Sequence, residues 1–124
     1  MTPKELKART KRFAVDVVSL CRELPPTFDG RELGRQLLRA ATSVAANYRA
    51  TCRARSRADF IAKLGTVLEE SDESLFWLEL IVDTKIKPPT RVQRLMSEAD
   101  QLTAIFAASL KTARGGDDQS KKSI

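Results

Sequence analysis

Apolar side chains recur along the chain at steps of three, four and seven residues, in four separate segments. These steps place the apolar side chains on single faces of helices, because each residue turns a helix by about 100°. The segments predict helices at about 3–24, 30–53, 57–84 and 91–113. Paired prolines separate the first helix from the second and the third from the fourth, and short connections favour antiparallel neighbours. The pattern therefore predicts an all-α fold, an up-and-down antiparallel four-helix bundle.

Each predicted helix starts with a polar residue that is able to cap it. In every case an acid or an amide follows three residues later, as in a capping box, where side chains accept hydrogen bonds from unpaired backbone N–H groups. Phe28 and Leu33 are also spaced for a hydrophobic staple across the start of the second helix. The expected capping residues are Thr2, Asp29, Ser56 and Thr90.

The chain has 124 residues, enough for one domain with a buried core. We expect the bundle to occupy 1–113 and the polar residues 114–124 to form a disordered C-terminal tail. No apolar run approaches the ~20 residues of a membrane span, and the basic N-terminus is not followed by the apolar segment of a signal peptide. Cys21 and Cys52 have no metal-binding or redox spacing. We therefore expect a cytoplasmic protein without a membrane partner.

Histidine is absent from the sequence, which removes the commonest general base and the commonest metal ligand. The sequence also has no glycine-rich phosphate loop and no metal-ligand spacing. These absences predict a protein that is not an enzyme and that uses no cofactor or metal. The net charge of +6 permits nucleic-acid binding without requiring it.

Charge is segregated between the second and third predicted helices. Residues 31–57 hold seven arginines against one acid, whereas 59–83 hold seven acids against one lysine. Most arginines of the second helix share an arc of about 80° opposite its apolar face. The arginines either pair with the acids, within or between subunits, which the equal and opposite counts favour, or they bind nucleic-acid phosphate. The candidate nucleic-acid contacts are Arg31, Arg35, Arg49, Arg53, Arg55 and Arg57.

A polar cluster interrupts the packing side of the second helix, at Arg39, Ser43 and Asn47. Buried or half-buried polar groups need partners, and such a network is able to fix the register of two helices. We expect the partners to be acids of the third helix, namely Glu69, Glu70 or Glu73.

The third helix has more apolar residues than one packing face needs. Its main stripe is predicted to run through Leu64, Ser71, Leu75 and Val82, which leaves four further large residues mostly outside the stripe. These residues either widen the core face or contact another subunit, and we prefer the second interpretation because large exposed apolar patches usually mark interfaces. The expected subunit interface comprises Phe76, Trp77, Leu80 and Ile81, flanked by Glu70 and Glu73.

Three stretches of the sequence carry a family resemblance. Residues 39–48 read RAATSVAANY, residues 53–60 read RARSRADF, and residues 69–80 read EESDESLFWLEL. Together with the Leu24–Pro25 pair that ends the first helix, they resemble the four-helix-bundle proteins related to those encoded in intervening sequences of bacterial 23S rRNA genes. The resemblance covers about residues 10–113.

The resemblance implies a bacterial four-helix-bundle subunit, a ring-like pentamer and a biochemical function that is unknown. A distantly similar protein, the accessory variability determinant of diversity-generating retroelements, binds nucleic acid and a reverse transcriptase. One departure concerns residues 47–51, which read NYRAT and lack the glutamate and glycine of the commoner family motif NIAEG. Any role of those two residues is therefore not carried over to this chain.

Two functional hypotheses follow. The first is a non-enzymatic, homo-oligomeric binding protein that contacts RNA or DNA through basic surfaces, with affinity that falls as salt rises. The alternative is a structural or adaptor protein that scaffolds a protein partner, with the arginines used in salt bridges between subunits.

Overall fold

The computed structural model describes the backbone of residues 1–122 and the side chains of residues 1–115. Each helix packs against the next one along the chain, and α1 also packs against α4. The chain is therefore an up-and-down four-helix bundle, which confirms the predicted fold class. The four helices are α1 (Pro3–Cys21), α2 (Phe28–Thr51), α3 (Arg57–Asp83) and α4 (Pro89–Lys122).

Two of the four expected caps are present. The Thr2 hydroxyl accepts a hydrogen bond from the backbone N–H of Glu5 at 3.1 Å, and the Ser56 hydroxyl accepts one from the backbone N–H of Asp59 at 3.0 Å. The prediction for Thr90 was wrong because α4 already begins at Pro89, whose fixed φ and missing N–H suit a first helical position.

The start of α2 also differs from the prediction. Thr27 rather than Asp29 caps this helix, and its hydroxyl accepts a hydrogen bond from the backbone N–H of Gly30 at 3.2 Å. Phe28 is 89% exposed, so it does not form the expected staple with Leu33. The chain turns tightly here and brings the backbone carbonyl oxygen of Pro25 so close to Gly30 that a Cβ atom at this position would overlap it.

At the other end of the chain, α4 runs beyond its predicted end near residue 113 and reaches Lys122. The side chains after residue 115 lie outside the described residues. The expectation of a disordered tail over 114–124 concerns this segment and stays a prediction.

The core face of α3 is turned relative to the prediction. Leu75 and Val82 are only half-buried, whereas Ile81 is completely buried. Two serines complete the stripe, of which Ser71 was expected on this face and Ser74 was not. The Ser71 hydroxyl hydrogen-bonds the Thr103 hydroxyl of α4 at 2.8 Å, so its burial leaves no polar group without a partner. The buried residues of α3 are Leu64, Val67, Ser71, Ser74, Leu78 and Ile81.

Candidate nucleic-acid interface

Three lysines lie along the first turns of α1. Lys4, Lys7 and Lys11 are exposed and follow one another at steps of three and four residues, which places them on one face of the helix. Leu6 and Phe13 of the same helix are buried in the core. The core packing of α1 therefore fixes the direction in which the lysines point.

Because neighbouring helices are antiparallel, the start of α1 lies beside the end of α2, where Arg49 and Arg53 are exposed. The two helices enclose a groove of about 520 Å³ between them. Three lysines and two arginines line this groove, and no acidic residue does. We refer to it as the α1–α2 groove, and its charged residues are Lys4, Lys7, Lys11, Arg49 and Arg53.

The rest of the groove lining is made of small side chains, which are four alanines and one threonine. The Thr42 hydroxyl donates to the Leu38 carbonyl oxygen within its own helix, at 2.7 Å. Because these side chains are short, they leave space between the lysine and arginine side chains that an anion could occupy. The small residues are Ala8, Ala14, Thr42, Ala45 and Ala46.

The basic surface continues past the groove at the C-terminal end of α2. Arg49 and Arg53 also border a second cleft of about 650 Å³, which Arg55, Asp59 and Lys63 line as well. The Lys63 ammonium lies 2.6 Å from the Asp59 carboxylate. This hydrogen bond, followed by one from the backbone N–H of Arg55, holds the pKa of Asp59 below its ordinary value. The one acid of the second cleft is therefore ionised and paired with a lysine.

The six arginines predicted as nucleic-acid contacts do not form one surface. Arg31 and Arg35 border a different cleft near the start of α2, and Arg35 forms an ion pair with Glu32 at 2.7 Å. The Arg57 guanidinium donates to the Ala113 carbonyl oxygen of α4 at 2.5 Å. Among the predicted arginines, Arg49 and Arg53 are the two that line the α1–α2 groove.

The lysines of the groove were missed by the sequence analysis. A signal was present, because Lys4, Lys7 and Lys11 have the spacing of one helical face. The sequence does not show which face of α1 turns towards α2. Only the folded chain therefore shows that the lysines of α1 line the same groove as Arg49 and Arg53.

Arg39 connects α2 to the acidic helix α3. Its guanidinium contacts the Glu70 carboxylate at 3.4 Å and donates a hydrogen bond to Glu73. The Trp77 indole N–H also donates to Glu73, at 3.1 Å. Both hydrogen bonds lower the pKa of Glu73 below its ordinary value, and the one from Trp77 has the larger effect. Ser43 and Asn47, which were expected in the same network, make no side-chain hydrogen bond within the described residues.

The surface of α3 carries an exposed apolar patch. Phe76 is 51% exposed and packs edge-to-face against Trp77, with ring centroids 5.0 Å apart. Trp77 and Leu80 are half-buried. Ile81, which was expected at this surface, is 0% exposed and belongs to the core of its own subunit. We call Phe76, Trp77 and Leu80 the α3 patch.

Within residues 1–115, no group of three or more acids and cysteines is arranged to hold a metal ion. None of the helices, as far as they are described, has the length and apolar character needed to cross a membrane.

The fold and these surfaces define a small all-α bundle protein with a cation-lined groove between its first two helices. A model of the 23S rRNA-intervening sequence protein family matches residues 4–108. The chain belongs to this family, which confirms the resemblance found in the sequence.

A solved structure supports the same assignment. The chain is similar to a protein of unknown function from the S23 ribosomal protein family of Bacteroides thetaiotaomicron VPI-5482. The two are 31% identical and superpose with a TM-score of 0.82, over 90% of this chain and 99% of the other. A comparison with curated proteins gave no match. The family is therefore established, and its name does not state a biochemical activity.

Proposed function

We propose that this protein is a non-enzymatic binding protein that contacts the phosphates of RNA or DNA through the α1–α2 groove. The observation that carries the proposal is the lining of the groove, which has five cationic side chains and no acid. Lysine and arginine that neutralise phosphates release condensed counterions, and this release supplies most of the affinity of sequence-independent binding.

The pairing of the charges supports the proposal. Arg39 has an acidic partner on α3, as the structural interpretation of the arginines expected, and Arg35 pairs with Glu32 of its own helix. In contrast, none of the five groove cations forms an ion pair with another described residue. Like charges held close together on helices destabilise the fold slightly. The core packing of the bundle does not require these like charges to lie together. A polyanion in the groove would remove their repulsion.

The test is a comparison of two double variants in and next to α2. Arg49→Ala with Arg53→Ala removes two groove cations, and Arg31→Ala with Arg35→Ala removes two arginines of α2 that lie outside the groove. If all five cations contact duplex phosphates, log K falls with log salt at a slope of about −4.5, and the groove variant reduces it by about 1.8. At ~0.1 M salt this corresponds to roughly 60-fold weaker binding, if the affinities extrapolated to 1 M are equal.

The control variant is expected to bind like the parent protein. The proposal fails if the parent protein does not bind mixed RNA or duplex DNA at ~50 mM salt, where phosphate contacts are strong. It also fails if both double variants lose affinity equally, because the groove would then have no special role.

A second proposal concerns self-assembly, with Phe76 as the observation in its favour. A phenylalanine that is 51% exposed beside two half-buried apolar residues leaves an apolar surface in water. Burial of such a surface against a second copy of the chain is favourable. We propose that the α3 patch is a subunit interface. Assembly through it would repeat the groove and raise the avidity for a long polyanion.

A further inference from the structure

We infer that the α1–α2 groove holds the sugar–phosphate backbone of a double-stranded nucleic acid and makes no contact with the bases. This inference rests on the proposed function and specifies its ligand. It is drawn from the spacing of the groove cations, from the absence of aromatic side chains in the groove lining, and from the engagement of the one hydroxyl group there.

The spacing of the cations fits a phosphate backbone. Lys4 and Lys11 are seven residues apart, which is about 10.5 Å along the axis of α1. Phosphates of one strand advance by about 3.4 Å along a duplex axis, so the lysine row is long enough to meet more than one phosphate of a strand. On the other side of the groove, Arg49 lies in the last turn of α2 and Arg53 just beyond its end at Thr51, and these two arginines form a second row. Packed helices lie roughly 8–10 Å apart, so the two rows flank one strand.

The groove has no surface on which bases could stack. None of its lining residues is aromatic. Tyr48, which precedes Arg49, is buried and packs against Phe106 with ring centroids 5.6 Å apart. Proteins that prefer single strands combine a basic groove with exposed aromatic side chains. Without them, a single strand gains only the charge contribution, which is smaller than for a duplex because of its lower charge density.

Apart from its lysines and arginines, the groove has no side chain that would distinguish RNA from DNA or one sequence from another. Thr42 provides the only hydroxyl of the lining, and this hydroxyl donates to the carbonyl oxygen of Leu38 in its own helix. No asparagine or glutamine lines the groove. Contacts to phosphates position a protein without reading sequence. We therefore expect duplexes of RNA and of DNA to bind with similar affinity, irrespective of sequence.

The experiment compares the binding of a duplex with that of one of its strands, at equal length and over a series of salt concentrations. If each of the five cations neutralises one phosphate, the expected slopes are about −4.5 for the duplex and about −3.5 for the single strand. At ~0.1 M salt the duplex is then expected to bind about tenfold more tightly, if both bind equally at 1 M. RNA and DNA duplexes serve as separate arms.

The groove is tested by a charge-reversal variant, Lys7→Glu with Lys11→Glu, in the full chain. Its matched control, Lys111→Glu with Arg114→Glu, changes the net charge equally on exposed positions of α4. We expect the groove variant to abolish the preference for the duplex and the control to retain it. Circular dichroism verifies that both variants keep the helix content of the parent.

The outcomes separate the two proposals. If the single strand binds as tightly as the duplex or more tightly, this inference is wrong while the proposed function stands. A strong preference for one of the two duplexes would also overturn it, because the groove would then read more than phosphate. If neither form binds, the proposed function itself fails. If the groove variant instead changes the mass of the protein in solution, the groove receives another copy of the chain, and both proposals are overturned.

Discussion

The replacement of Phe76 by alanine tests whether the α3 patch joins subunits. An aromatic side chain buries about 150–250 Å² when it is fully enclosed. Since Phe76 is 51% exposed, an interface that covers it removes on the order of 100 Å² from water. At ~25 cal/mol per Å² this is about 2.5 kcal/mol, which corresponds to roughly a 60-fold weaker association for each copy that loses the ring.

Sedimentation equilibrium over a range of protein concentrations measures this effect directly. We expect Phe76→Ala to shift the assembly to smaller species, whereas its helix content by circular dichroism stays close to that of the parent. Phe28→Ala is the matched control, because Phe28 is 89% exposed but lies at the start of α2. The reasoning is refuted if the parent protein is a monomer at micromolar concentration, or if the two variants dissociate equally.

Three further predictions concern the fold. Gly30→Ala is expected to destabilise the protein by about 1–3 kcal/mol, because its Cβ atom would overlap a backbone oxygen. Gly65→Ala has open space around the new Cβ atom and should stabilise α3 by up to about 1 kcal/mol. Thermal unfolding measures both effects. Burial raises the pKa of Cys21 to about 11, so at pH 8 a thiol reagent should modify the exposed Cys52 quickly and the half-buried Cys21 much more slowly. The pKa of Glu73 is lowered in the folded chain, so its contribution to stability is present above the unfolded pKa and is lost as pH falls through the folded one. Glu73→Gln should therefore cost roughly 0.2–1 kcal/mol at neutral pH, and denaturant unfolding should show this difference disappear in acid.

The sequence predicted the number, order and type of the helices because their apolar periodicity is local information. It misplaced part of the packing face of α3, where Leu75 and Val82 were taken as core. Ser71 was expected on this face and is buried, but Ser74 is buried as well. The Ser74 hydroxyl donates to a carbonyl oxygen one turn earlier in its own helix, at 2.8 Å. With Ser74 in the stripe, Ile81 falls in the core and Leu75 at its edge. The burial of a small polar residue depends on a neighbouring helix and is not visible in hydropathy.

The candidate site was predicted only in part, for a related reason. Equal numbers of arginines and acids on α2 and α3 suggested that the two helices neutralise each other. Among the described residues, Arg39 is the arginine of α2 that forms ion pairs with acids of α3. Other charges are satisfied locally, as in the pairs Arg35–Glu32 and Lys63–Asp59. Counts of charge along a sequence do not show which side of a helix faces its neighbour, and this geometry leaves Arg49 and Arg53 beside α1.

The positions of the two proposed surfaces make them compatible. The α1–α2 groove is formed by the first two helices, whereas Phe76 and Trp77 lie on α3, and the two surfaces share no residue. Arg39, with its partners Glu70 and Glu73, lies where α2 and α3 meet. Assembly through the α3 patch would therefore leave the groove of each subunit accessible. Several grooves joined in one assembly would bind a long duplex more tightly than a single groove does, and weak contacts to phosphate alone would then suffice.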